Sequence, residues 1–182
     1  MIYYISDLHL GDERIMKLCS RPFKSTDELF ETLIERWNAK VTDSDDVYVL
    51  GDIANGSSEL VKTFFLQVKG RKHLIVGNHD EKYVTAYFLT KSFVSVSSLE
   101  YIVDNGRKVL LCHYPLMDWF SGDEKIYHVY GHVHNKNGNN SGQMYKFMKA
   151  YYSCLPAFNA SVDVTNFEPV TLDELIELKE VI

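Results

Sequence analysis

Disulfide chemistry is the first thing this chain lacks. Its three cysteines, Cys19, Cys112 and Cys154, are odd in number, far apart and without a CxxC pair. That pattern suits a reduced, intracellular setting. An excess of basic residues is also missing: Lys and Arg number 19 against 25 Asp and Glu, for a net charge of -6. The balance argues against a broad nucleic-acid-binding surface. It leaves room for one small cationic site, because bound metal ions add charge that a residue count omits. No apolar stretch approaches the length of a membrane span, and MIYYISD at the N-terminus has neither a basic leader region nor a long apolar core. No membrane association and a cytoplasmic location are the expectation. Internal repeats, an interdomain linker and a second core are absent too, so residues 1–182 read as one domain. Finally, no Ser or Cys stands beside a base as a nucleophile would. Cys112 directly precedes His113, but on alternate faces of one strand, which makes it a core residue.

What the chain does have is an ordinary globular composition, 46% hydrophobic and 24% charged, arranged in two rhythms. The first half alternates strands and helices. IYYI (2–5) reads as a buried strand, followed by a long loop. Ser25 and Glu28 form a capping box ahead of Leu29, Leu33, Ile34 and Trp37 at helical spacing, so a helix is predicted over about 27–39. DDVYVLGD (45–52) is a strand running into a glycine, SSELVKTFFLQV (57–68) an amphipathic helix stopped by Gly70, and RKHLIVG another strand. EKYVTAYFL (81–89) is predicted as a helix. The second half is mostly strands: SFVSV, SLEYIVD and RKVLLCH, the last two joined by the hairpin signal Asn105-Gly106, then KIYHVYGHV (125–133), YYSCL (151–155) and ASVDVTN (160–166). NKNGNNSGQ (135–143) reads as a polar loop, and Thr171 with Glu174 opens a C-terminal helix. Helical crossovers imply parallel strands in the first half, and hairpins imply antiparallel ones in the second, so an α/β domain with mixed sheets is expected.

Five of the strand-like runs end alike. IYYIS leads to Asp7-Leu8-His9, VYVLG to Asp52, HLIVG to Asn78-His79-Asp80, VLLC to His113, and YHVYG to His132-Val133-His134. In α/β sheets, ligands collect at the carboxyl ends of strands. Glycine precedes the polar residue in three of the runs, where the backbone must turn sharply or approach closely. Asp7 with His9, and His132 with His134, stand two apart; in extended chain that spacing aims both side chains to one side. Taken singly, each residue is as readily a turn former or an ordinary surface group. Their recurrence behind five strands points to a site, and a mixed nitrogen and oxygen set of this size exceeds the needs of one zinc ion. It fits a two-metal centre sharing a carboxylate. His73 and His128 lie inside strand runs and read as structural or exposed.

The ordered set D-x-H, GD, GNHD, a lone H after a strand and GHVH, spanning residues 7 to 134, resembles the calcineurin-like metallophosphoesterase superfamily. RPF (21–23), ELFETLIERWN (28–38) and the run into VYVLGD are similar to small bacterial and phage members. The resemblance implies a four-layer αββα sandwich of two mixed sheets flanked by helices. It implies that Asp7, His9 and His134 hold one metal, that Asn78, His113 and His132 hold a second, and that Asp52 bridges them. The ions would be divalent; mixed sites accept Mn, Fe, Zn, Ni or Mg by availability. A metal-bridging hydroxide would hydrolyse a phosphomonoester or phosphodiester, with His79 facing the substrate and assisting at the leaving group. Asp80 reads equally as the partner of His79 or as the N-cap of the following helix. The substrate expected is a small phosphoester or nucleotide-like molecule. Tyr114, Trp119 and Phe120 are candidates to stack on it, or to plug the core, and Arg21 is a candidate phosphate contact. Two other readings stand beside this one: a nuclease of the same superfamily, which the acidic charge disfavours, and a non-catalytic scaffold of the same fold. Scaffold members tend to lose the residue at the position of His79, which this chain retains.

Overall fold

The computed structural model describes residues 1–84, 92–119, 125–135 and 139–181. A first sheet is built from β1 (Ile2–Ile5), β2 (Asp46–Val49), β3 (Arg71–Ile75) and β4 (Ser95–Ser97), all parallel and in that order. Its antiparallel contact is a single bridge between Tyr4 of β1 and Val170, near the C-terminus. A second sheet holds β5 (Leu99–Asp104), β6 (Arg107–Cys112), β7 (Ile126–Tyr130) and β8 (Ala157–Asn159), again in sequence order. Only the β5–β6 pair is antiparallel; β6–β7 and β7–β8 are parallel. The expectation of an antiparallel second half is corrected here: beyond the first hairpin, its strands are joined by long crossovers. That hairpin turns at Asn105 and Gly106, both with positive φ (48° and 78°), as a two-residue turn matching strand twist requires.

Helices cover both outer faces. On the first sheet lie α2 (Thr26–Lys40) and α3 (Ser58–Gln67). Leu29, Leu33 and Trp37 of α2, and Val61, Phe64 and Phe65 of α3, pack against Tyr3, Ile5, Val47, Val49 and Leu74. Each such side chain contributes roughly 2 kcal/mol by leaving water. Ser25 caps α2 by accepting from the Glu28 N–H at 3.1 Å, and Ser57 caps α3 through the Leu60 N–H at 3.1 Å. Between the sheets lie Tyr4, Leu50 and Ile75 from one side and Val109, Leu111, Val129 and Phe158 from the other. The outer face of the second sheet is covered by α5 (Asn139–Tyr151). The result is the four-layer arrangement expected. Two shorter helices, α1 (Glu13–Leu18) and α4 (Glu81–Val84), follow strand ends, and α6 (Leu172–Val181) packs beside β1 and β8. α6 opens with a reciprocal box: the Glu174 N–H donates to Thr171 Oγ1 at 3.3 Å and the Thr171 N–H to Glu174 Oε2 at 2.7 Å.

Several expectations change. The 135–143 loop becomes helix from residue 139, and the 151–155 strand is instead the end of α5 and a turn. The polar Asn-Gly composition hid a helix whose Met148, with Tyr152 four residues on, seals the outer sheet face against Leu110 and Tyr130. The loop after β1 contains α1, capped by Asp12 accepting from the N–H groups of Arg14 and Ile15. Residues 160–166 form no strand: Ser161 makes an isolated parallel bridge to Ser6 and 162–166 are turns, because this segment divides its backbone bonds between two sheets. The Ala160 N–H donates to Tyr130 O at 2.8 Å, while the N–H of Ser6 donates to Ala160 O at 2.9 Å and that of Val162 to Ser6 O at 3.0 Å. The predicted helix 81–89 is helical over Glu81–Val84, and its remainder lies outside the described residues. Phe120 also lies outside them. Among the described residues, no helix is long and apolar enough to cross a membrane.

Candidate metal centre

All seven proposed ligands follow the carboxyl ends of β1, β2, β3, β6 and β7, where the two sheets meet. Asp7 (φ 58°), His9 (φ 49°), Asp52 (φ 54°), His132 (φ 71°) and His134 (φ 48°) adopt left-handed backbone conformations. The two-apart pairs therefore converge by a different geometry from the one the spacing suggested. They sit just past the strands, in turns whose alternate residues are left-handed, not on one face of an extended chain. Such conformations cost of order 1 kcal/mol each in non-glycine residues and persist only where surrounding bonds impose them. Here the Asp7 N–H donates to Gly51 O at 3.0 Å and the His9 N–H to Asp52 O at 3.0 Å, so β1 and β2 hold each other's exits.

Two of the preceding glycines permit close approach. A Cβ on Gly77 would stand 2.5 Å from the Asp52 backbone nitrogen and from its Oδ1. One on Gly131 would overlap the Ser6 hydroxyl and lie 2.7 Å from Asp7 Oδ2. Any side chain at either place would push a ligand out of position.

Two groups result: Asp7, His9 and His134, and Asp52, His113 and His132, with the ligand atoms of each within 4.8 Å of one another. Asp52 reaches both, its Oδ2 lying 3.5 Å from His9 Nε2 and its Oδ1 3.5 Å from His113 Nε2. His113 Nδ1 lies 2.7 Å from Leu50 O, which can only accept, so that nitrogen carries the proton. In this tautomer of the neutral ring Nε2 offers a lone pair. It faces Asn78 Oδ1 at 3.1 Å, His132 Nδ1 at 3.2 Å and the Asp52 carboxylate. Both ring nitrogens of His9 are buried without a hydrogen-bond partner; the nearest carboxylate to Nδ1, Asp12, is 4.0 Å away. Imidazole nitrogens, an amide oxygen and a carboxylate converging on one place, and a buried orphan imidazole, fit divalent cations.

The electrostatics agree. Burial, reinforced by Asp7, raises the Asp52 carboxyl to about 6. Burial depresses His9 well below its usual value, so its ring is neutral and one nitrogen keeps a free lone pair. His134 behaves oppositely: burial lowers it, but Asp7 and Asp163 outweigh that and hold it up at about 11. Two carboxylates beside one imidazole demand a positive charge, which either a proton or a cation can supply.

Asp163 had no part in the sequence reading. Its Oδ2 lies 2.7 Å from His134 Nδ1, which leaves Nε2 facing Asp7 at 3.9 Å. Arg21 closes the other side: Nε and Nη2 each donate to Asp163 at 2.9 Å, while Nη1 and Nη2 donate to Leu8 O at 2.9 Å and Asp7 O at 2.7 Å. The Arg21 side chain is fully buried, so the expected phosphate contact is corrected: Arg21 braces the backbone between two ligands. Cys19 joins His134 and Asp163 in a third cluster, but Arg21 already occupies that carboxylate. Carboxylates behind metal-bound imidazoles fix tautomer and orientation, and their loss typically costs 10- to 100-fold in metal affinity. Asp163→Asn, which can still accept from Arg21, should show a loss in that range by chelator competition on folded protein. Unchanged affinity would remove Asp163 from the site.

Asp80 is also corrected. Its Oδ2 accepts from the N–H groups of Asp52 (2.9 Å) and Gly77 (2.8 Å), and its Oδ1 from that of Ile53 (2.9 Å). The carboxylate is fully buried and pins the turns after β2 and β3 together, instead of acting as a catalyst or as the side-chain cap of α4. His79, by contrast, is exposed, its ring 5.3 Å from that of His9, and its N–H donates to Asp52 Oδ1 at 2.9 Å. Tyr114, 44% exposed, lies at the other group, its ring 5.0 Å from His113 and 4.9 Å from His132. Trp119 is buried and its Nε1 donates to Ile126 O at 2.8 Å, so it serves the core, not a ligand. His73 and His128 are structural: His73 binds Asp46 and Ser95, and His128 accepts from the Leu116 N–H among Trp119, Tyr130 and Tyr152 on the outer face of the second sheet.

The family model for calcineurin-like phosphoesterases matches residues 1–168. An uncharacterized protein of Methanocaldococcus jannaschii, MJ1445, is 34% identical, over 98% of this chain and 91% of its own length. The Gene 66 protein of Mycobacterium phage L5 is 29% identical, over 73% of this chain and 77% of its own. A crystal structure of a protein of unknown function from Aquifex aeolicus, AQ665, superposes with a TM-score of 0.70 at 24% identity, covering 98% of both chains, and so shares the fold. With a match across most of its length and the strand-end residues in place, the chain belongs to the calcineurin-like phosphoesterase family.

Proposed function

We propose that the protein hydrolyses small phosphoesters, monoesters or diesters, with two divalent metal ions. Asp7, His9 and His134 would hold one ion, Asn78, His113 and His132 the other, and Asp52 would touch both. Bound there, the ions would supply Lewis-acid charge and bring the pKa of water towards neutrality. The observation that carries this reading is the gathering of Asn78 Oδ1, His132 Nδ1 and the Asp52 carboxylate around His113 Nε2, with His113 Nδ1 already spent on Leu50 O.

The chain's own side chains divide the remaining work. His79 stands exposed above His9, positioned to give a proton to the leaving oxygen. Its backbone N–H bond to Asp52 ties its position to the shared ligand. Tyr114 offers a ring face at the opposite lip, suited to an aromatic or nucleotide-like leaving group.

The test starts from protein stripped by chelator and reloaded with Mn, Ni, Zn or Mg, then assayed on a phosphomonoester and a phosphodiester. Turnover should return with metal. His79→Ala should lower kcat roughly 10²- to 10⁴-fold while leaving two ions bound. Two bound ions with no turnover of any ester would favour the scaffold reading instead.

A further inference from the structure

Helix α5 covers the outer face of the second sheet, but its cover stops at β6. Leu110 and Cys112 of β6 are buried, at 1% and 7% exposure, while the residues opposite them on β5, Tyr101 and Leu99, are 58% and 47% exposed. Val103 is 63% exposed. β5 is also the edge of its sheet: β6 takes one side, and no strand among the described residues takes the other. Its inward residues are committed elsewhere. Ile102 packs between the sheets, and Asp104 accepts from the Tyr4 hydroxyl at 3.0 Å. A six-residue edge strand with a wholly apolar outward row, free of Pro and of an outward charge, is the kind that recruits another strand.

We propose that this edge joins two copies of the chain, β5 pairing antiparallel with the partner's β5 to extend the sheet across a two-fold axis. The sequence LEYIVD decides both the partner and the register. Pairings that set outward residues against inward ones would turn one sheet over, so only same-parity registers remain. Centred on Glu100, the pairing puts two like carboxylates face to face. Centred on Ile102, it sets Glu100 against the partner's Asp104. Centred on Tyr101, it sets Leu99 against the partner's Val103, Tyr101 against the partner's Tyr101, and Glu100 against the partner's Ile102. That register sets every exposed apolar residue of β5 beside another one and opposes no like charges. Main-chain bonds would give the affinity, and the Leu–Val and Tyr–Tyr pairs the specificity. A strand from an unrelated protein would have no reason to meet this self-complementarity.

Sedimentation velocity on the full chain over a concentration series reads the association. The wild type should approach twice 21.0 kDa as concentration rises. Tyr101→Lys places two positive charges across the axis and should remain monomeric, with an unchanged circular dichroism spectrum because Tyr101 is exposed. Leu99→Lys should weaken the dimer, and adding Val103→Glu should restore it, since the opposed charges then face each other twice. Tyr101→Cys, in a Cys154→Ser background, should give a covalent dimer on oxidation. A wild type that stays monomeric at every concentration overturns the proposal. So does a dimer that survives Tyr101→Lys, or a double variant no better than Leu99→Lys alone.

Discussion

Asp52→Asn should abolish most phosphoester hydrolysis, with a fall of roughly a thousand-fold or more in kcat. The carboxylate has one oxygen towards each ligand group, so no other residue can substitute for it. The amide keeps the shape but removes the negative charge and turns a donor towards one group. The backbone should hold, since the Asp52 N–H still donates to Asp80 and its carbonyl still accepts from His9. Elemental analysis should find fewer than two ions per chain. A second readout runs in the opposite direction. Burial, with Asp7 close by, raises this carboxyl from 3.8 to about 6. A raised carboxyl contributes stability at low pH that is lost as pH climbs through the folded value. Above about pH 6, metal-free wild type therefore carries an ionised Asp52 at a cost, and the metal-free variant does not. The variant, stripped of metal, should melt at a higher temperature than stripped wild type at pH 7 and show little difference at pH 4. Full activity with two ions bound would remove Asp52 from the shared position.

The largest effect on stability should come from Asp80→Ala. Truncation leaves the N–H groups of Gly77, Asp52 and Ile53 unpaired in a fully buried place. Each buried donor left unpaired costs about 1–3 kcal/mol, so the sum for three is about 3–9 kcal/mol, against a total stability of about 5–15 kcal/mol for a typical domain. The urea midpoint should drop sharply, and the variant should express mainly as unfolded protein. Asp80→Asn should fall between, because its amide nitrogen must face an N–H that it cannot accept. If Asp80→Asn unfolds like wild type but shifts the pH profile of kcat, the carboxylate is a proton partner for His79 and its bracing role is wrong.

The parts of the site that sequence reading found share one property: each is a short local pattern behind an apolar run. Asp7 to His134 could be collected because a strand and its exit are neighbours in sequence. Asp163 could not, because its partners His134 and Arg21 lie 29 and 142 residues away, and ASVDVTN alternates like a strand. Arg21 looked like a phosphate contact because an arginine near a metal site usually is one; burial against two carbonyls is a tertiary fact. Asp80 could be a cap, a partner or a brace on local grounds, and only the approach of β2's exit decided. The helix 139–151 was hidden by its Asn-Gly entry, although Met148 and Tyr152 stood at helical spacing. Left-handed ligand backbones are set by bonds between strand exits, which no single segment records.

The segment 160–162, bonded to Tyr130 on one side and Ser6 on the other, has a mechanical meaning. It spans the joint between the sheets within a few residues of Asp163, and each ligand group draws side chains from both sheets. Asp7 and His9 ride on the first sheet with His134 on the second; Asp52 and Asn78 ride on the first with His113 and His132 on the second. A slip of one sheet along the other by even an ångström would pull both groups apart. Metal bound at each group as proposed would rivet one sheet to the other against shear, and the two sheets would then yield as one body.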